Sequence, residues 1–199
     1  MSRGRHRTGT VLAVTAVLAA ALAGCRREAG PEVLQQAWKH AVERRVGEAL
    51  PLAKDYLAGH PEDAAAHYVL GKCYLHRPDV NTTLAKGEFE TALHYFGKTK
   101  NLGILAPEMT AELFQSALHR DIALALMRAI YEGGSRGLPG PVMYPVLDQA
   151  LKHVHEGLRF DPSSGFLQEM SRSLEELRKG RPSPAPPPRP AEKPGEITI

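Results

Sequence analysis

Cysteine is nearly missing from the 199-residue chain, which has only Cys25 and Cys73. That scarcity excludes a disulfide framework of the kind that staples small secreted domains, and no pair of cysteines stands at metal-ligand spacing. A surplus of one charge is missing too. There are 25 basic and 22 acidic residues, and setting aside Arg3, Arg5 and Arg7 at the N-terminus leaves 22 of each. No basic stripe remains for nucleic acid, which is excluded as a partner. An apolar run long enough to span a membrane comfortably is also lacking, since the run at 11–23 has thirteen residues. Motifs that carry chemistry are lacking as well: there is no Gly-rich phosphate loop, nucleophile motif or paired metal-ligand motif. The nine histidines are scattered, and His153 and His155, two apart, point about 200° from each other on a helix. The expectation is a protein without enzymatic activity, metal or cofactor. Aromatics are few, at 6%, alanine and leucine are abundant, and proline and glycine gather at segment boundaries. That is the composition of a helical domain.

What is present begins with a basic head. Arg3, Arg5 and Arg7 precede the apolar run with no acid among residues 1–7, which reads as an export signal. The run ends in Leu22, Ala23, Gly24 and Cys25. This ending resembles the lipobox of bacterial lipoproteins, where small residues admit the signal peptidase and the cysteine thiol is alkylated with diacylglycerol. The resemblance implies a signal peptide over 1–24, Cys25 as the lipid-attachment residue, and 25–30 as a short linker. A diacylglycerol and an amide-linked acyl chain satisfy the two-signal requirement for stable anchoring. Arg26, rather than Asp, follows the cysteine; by the same resemblance this implies the outer membrane, facing the periplasm. Cys73 is then left without an intramolecular partner and reads as a small buried hydrophobe.

The stretch 60–96 organises the rest. Pro61 opens it, and 64–75 reads as a helix with His67, Leu70, Gly71 and Tyr74 on one face and Tyr68, Lys72 and His76 on another. Residues 87–96 read as a second helix whose Phe89, Ala92, Leu93 and Phe96 form an apolar stripe, leaving 76–86 as a loop. Two amphipathic helices so close in sequence predict an antiparallel hairpin. The order Leu70-Gly71, Tyr74, Gly87, Phe89, Ala92, Phe96 resembles the tetratricopeptide-repeat family, whose pattern runs Leu-Gly, Tyr, Ala, Phe. Gly71 and Ala92 are small where two backbones would approach, and Tyr74 and Phe96 would fill the space beside them. The family period is about 34 residues, and the segment between Tyr74 and Gly87 is about nine too long for it.

The same pattern reads 31–61 as a degenerate first repeat. Its first helix, 31–45, has Val33, Leu34, Ala37, Trp38, Ala41 and Val42 in register, and its second carries Pro51 in the first turn. Residues 108–162 form a divergent third repeat: a helix over 108–130, a stop at Gly133-Gly134, a loop over 133–141, and a helix over 145–160. Ser164 caps a last helix to about residue 178, with Phe166, Leu167, Met170, Leu174 and Leu177 facing inward. Seven prolines in 181–199 make 180–199 a disordered, proline-rich tail. The expected fold is all-α, with about three TPR-like stacked hairpins and a capping helix forming an α-solenoid over 31–179.

Stacked hairpins present the first helix of each pair on a concave face. The resemblance therefore implies a groove for a protein segment, lined by Trp38, Tyr68, Lys72, His76, Arg128 and Tyr131. For Trp38 the other reading is core, the commoner place for a lone Trp on an amphipathic helix. This mixture of aromatic and cationic side chains suits a segment with apolar and acidic groups. The expected function is a lipid-anchored interaction module or scaffold of the cell envelope that helps assemble or hold a membrane-associated complex. A structural spacer between the membrane and the periplasm or cell wall is the alternative, and a small envelope enzyme stands behind both.

Overall fold

The computed structural model describes residues 29–77, 79–135 and 140–180, and among these described residues there are seven helices. They are α1 Pro31–Val42, α2 Val46–Gly59, α3 Ala64–His76, α4 Thr82–Thr99, α5 Ala111–Ser135, α6 Gly140–Phe160 and α7 Gly165–Lys179. A single 3-10 turn, Gly103–Leu105, lies between α4 and α5, and there is no strand among the described residues. The all-α expectation holds. The export signal, the lipobox with Cys25, and the tail 181–199 lie outside the described residues. Two compact units divide at Met109 and Thr110.

In the first unit, Pro31 at the first helical position starts α1, where its missing N–H costs nothing. The helix ends at Val42, short of the expected 45, because the chain reverses through Arg44 in the left-handed region (φ 59°). Pro51 sits at the sixth position of α2, in the second turn rather than the first. Asp63 fastens the corner between α2 and α3. Its Oδ1 accepts from the Ala66 backbone N–H (3.0 Å) and its Oδ2 from the Tyr56 hydroxyl (3.1 Å). Burial, reinforced by the Asp63 charge, pushes the Tyr56 hydroxyl up to about 12.

Helices α3 and α4 form the antiparallel hairpin. The Asn81 N–H meets the Tyr74 carbonyl near the turn, while His67, seven residues earlier, faces Glu88. The start of α4 corrects the reading of 76–86 as a loop. The Asn81 side chain accepts from the Leu84 N–H (2.9 Å) and caps a helix that begins at Thr82, so the connection shrinks to 77–81 and the extra length is helical. Gly71 and Ala92 are both buried, and Gly71 faces the Phe89 ring. Cys73 is fully buried and free, as expected; burial pushes its thiol up to about 11, so it stays protonated at neutral pH.

The second unit is built on α5 and α6. Thr110 caps α5, its hydroxyl accepting from the Leu113 N–H (3.3 Å) and its carbonyl from the Phe114 N–H (2.9 Å), so the helix starts at Ala111 and not at 108. Gly133 and Gly134 do not stop it, for both lie inside its last turn. Helix α6 starts at Gly140, five residues before Pro145, so both ends of the expected 133–141 loop are helical and 136–139 lie outside the described residues. The pair runs antiparallel, with His119 opposite His153 and Ser116 opposite Gly157. Helix α7 returns along α6, with Leu167 near Gly157 and Ser171 near His155. Ser164 caps it as expected, accepting from the Leu167 N–H. Its inner face is Leu167, Met170 and Leu174, whereas Phe166 and Leu177 flank that stripe and are about half exposed, contrary to their inward assignment.

Candidate partner-binding groove

Helix α1 has two faces that serve different ends. Leu34, Ala37 and Ala41 are buried, while Val42 is 61% exposed and Trp38 half-buried. Gln35, Trp38, Lys39 and Val42 stand at i, i+3, i+4 and i+7 and so form one face. That face, with Glu32, Gln36, Glu43 and Glu108, lines an open groove of about 550 Å³. Glu108 belongs to the turn after Gly103–Leu105, its backbone N–H held by the Leu105 carbonyl (2.9 Å). Its Oε2 accepts from the indole Nε1–H of Trp38 at 2.9 Å, fixing the ring from one side. Tyr68 meets Trp38 at 5.8 Å between centroids, and Phe89 meets Tyr68 at the same separation. The three rings run as a chain from groove wall to core. A large ring held at both ends presents contact area at little conformational cost.

The expected groove residues separate accordingly. Trp38 lines the groove. Tyr68 does not: it is 2% exposed and belongs to the core, which corrects its assignment to an exposed ridge. The reason is that α3 packs against α1, α2 and α4, leaving little free face. Lys72 and His76 are partly exposed, and the Lys72 ammonium lies 5.9 Å from the Tyr68 ring centroid. Arg128 and Tyr131 are exposed residues of α5 in the second unit, where Tyr131 borders a hollow with Ser173, Glu176 and Leu177. None of Lys72, His76, Arg128 and Tyr131 lines the groove. The groove also has one lysine against three glutamates, so its electrostatics do not favour an acidic segment. Glu108 and Val42 went unassigned in the sequence because each counted as helix-building, Glu108 at a helix start and Val42 in a core register.

No protein-family model, curated protein or solved structure matches the chain. Among the described residues no three His, Cys, Asp or Glu side chains gather as metal ligands, and no helix is long and apolar enough to cross a membrane.

Elsewhere in the first unit, α3 and α4 share a charged clamp. His67 Nδ1 lies 2.7 Å from Glu88 Oε2 and its Nε2 lies 2.8 Å from the Pro61 carbonyl. Both partners are acceptors, so both ring nitrogens donate and the imidazole is held as the cation. Burial alone would lower its pKa, but the Glu88 and Pro61 hydrogen bonds and the nearby carboxylates outweigh it and the net shift is upward. The unfolded chain therefore binds fewer protons than the fold above pH 6.5. The stabilisation is complete below that pH and is lost as pH rises through the raised value. We expect the unfolding midpoint of the first unit, followed by Trp38 emission, to fall on going from pH 6 to pH 9, and His67→Gln to flatten that slope. An unchanged slope in the variant would place the pH dependence elsewhere.

Proposed function

We propose that the protein is a lipid-anchored interaction module of the bacterial envelope that holds a protein segment in the groove beside Trp38. The observation that carries this reading is the mounting of the chain's only tryptophan. Its ring is fastened by Glu108, backed by Tyr68 and left partly exposed beside the exposed Val42. A helical hairpin that needed Trp38 only for its core would not leave this ring and Val42 open to a groove. The segment that fits presents an apolar side chain to Trp38 and Val42, with polar groups toward Gln35, Gln36 and the carboxylates. The consecutive hairpins α1–α2 and α3–α4, and the contact between their first helices at Trp38 and Tyr68, support a TPR-like stacking of the first unit. The Leu22-Ala23-Gly24-Cys25 ending supports the anchor.

The test uses the full chain, solubilised in detergent, as bait beside Trp38→Ala and Val42→Arg baits. Val42 is 61% exposed, so its replacement should shift stability by no more than about 0.5 kcal/mol while filling the groove. The captured partner should bind Trp38→Ala at least about thirtyfold more weakly, the ~2 kcal/mol of a central anchor. Equal capture by all three baits would move the site off α1. Labelling with a fatty-acid analogue, lost in Cys25→Ala, is the expected result for the anchor; labelling that persists would overturn it.

A further inference from the structure

The second unit contains a polar contact that the groove reading does not use. His119 on α5 and His153 on α6 bring their Nδ1 atoms within 3.0 Å. The ring centroids are 5.3 Å apart, and Phe160 stacks on His119 at 6.0 Å with the planes within 10°. His119 is only 9% exposed. The site is also where three helices meet: a Cβ at Gly157 would lie 2.9 Å from Leu167 Cδ1 of α7 and 3.5 Å from His119 Cβ of α5.

An imidazole nitrogen accepts a hydrogen bond only when it carries no proton. One facing Nδ1 therefore donates and the other accepts. The neutral pair satisfies this, and so does the pair with one added proton, whose hydrogen bond is then charge-assisted. A second added proton leaves two N–H groups facing each other, with no acceptor between them and two positive charges on adjacent rings. From α6, Lys152 opposes a positive charge on His119 and Glu156 favours it. On α5 the Arg120–Asp121 ion pair (2.9 Å) follows His119 directly. From α7, Glu175 meets His155 and Arg178 meets Asp148 on α6.

We propose that the His119–His153 contact is an acid-sensitive latch, which holds α5 against α6 until both imidazoles are protonated and then loosens the second unit. Burial, reinforced by Lys152 and only partly offset by Glu156, lowers the affinity of His119 for its proton, and the direction of the response follows. Below pH 6.5 the unfolded chain binds more protons than the fold, so stabilisation present above that value is lost as pH falls. The first unit responds in the opposite sense, because His67 is held as a cation. Mild acid thus loosens one unit and favours the other.

The experiment is hydrogen exchange of the full chain between pH 7.5 and 5, in the presence of a metal chelator, with rates corrected for intrinsic exchange and resolved by peptide. Protection in 111–135 and 140–160 should fall below about pH 6.5, by up to about tenfold per pH unit for each proton taken up, while protection in 64–99 holds. His153→Gln, which keeps a hydrogen-bonding side chain but removes one titrating ring, should shrink the acid loss to the single-proton share of the buried His119. His67→Gln should leave it intact. Proton resonances of the two rings should titrate in two coupled steps, a reading on the wild-type chain that decides the matter even where His153→Gln fails to fold. Two independent titrations near pH 6.5, or protection in 111–160 that is flat with pH, would overturn the latch.

Discussion

Tyr68→Ala should unfold the first unit more readily than any change at the groove surface, by about 3–5 kcal/mol. The ring is 2% exposed and stands between Trp38 and Phe89, touching helices on both sides. Its removal takes a large apolar area out of contact and leaves a cavity that the fully buried Phe89, Leu75 and Val69 cannot easily fill. A loss of that size is a large part of the 5–15 kcal/mol that holds a typical domain. It would also free Trp38 on the core side, so partner binding should fall together with stability. Denaturant unfolding read by Trp38 emission reports on this unit directly, since the chain has one tryptophan. Tyr68→Phe, which keeps the ring, should retain most of the stability. A Tyr68→Ala midpoint equal to wild type would show that the ring is not core after all, and would return it to the groove.

The misreading of Tyr68 has a physical cause. Sequence periodicity divides a helix into an inner and an outer face, and for α7 that finds the centre of the stripe, Leu167, Met170 and Leu174, though not its edges, where Phe166 and Leu177 are about half exposed. It fails for α3, because ten of its thirteen residues are buried, from Ala64 through Leu75. A helix enclosed by α1, α2 and α4 has no outer face to find, and its polar side chains are satisfied locally, as His67 is by Glu88 and Pro61. The helical class, the hairpin at α3 and α4, the caps at Ser164 and the burial of Cys73 were all legible because each rests on a local signal. The start of α4 rested on Asn81, a local cap passed over in favour of Gly87 as a boundary, although a glycine inside a helix costs only about 1 kcal/mol and need not end it. The groove and the histidine latch were not legible. Trp38 meets Glu108 across 70 residues and His119 meets His153 across 34, distances over which spacing in one sequence says nothing about proximity.

Gly71→Leu should be the most damaging change that adds atoms rather than removing them. A Cβ at Gly71 would fall 2.5 Å from Phe89 Cε1 and 2.6 Å from Cδ1, so even alanine cannot be accommodated without movement. The ring that must give way is fully buried and packed against Tyr68. It cannot swing into solvent as an exposed side chain would. Two effects then compete for Gly71→Ala. Replacing glycine inside a helix gains roughly 0.5–1 kcal/mol of backbone entropy, while forcing a packed core apart costs about 1–3 kcal/mol. The clash wins, so Gly71→Ala should lower the unfolding free energy by about 1–2 kcal/mol, and Gly71→Leu, with three more carbons, by about 3 kcal/mol or more. Gly87, on α4, provides the opposite case in the same hairpin, for a Cβ there meets nothing within 4 Å. Gly87→Ala should therefore stabilise the unit by about 0.5–1 kcal/mol. The decisive comparison is a double-mutant cycle of Gly71→Ala with Phe89→Leu, read by denaturant unfolding. If the Phe89 ring is what Gly71 makes room for, the paired variant should lose less than the sum of the single ones, with a coupling of about 0.5–3 kcal/mol. Simple additivity, or a Gly71→Ala protein as stable as Gly87→Ala, would mean that the two helices do not meet at this glycine.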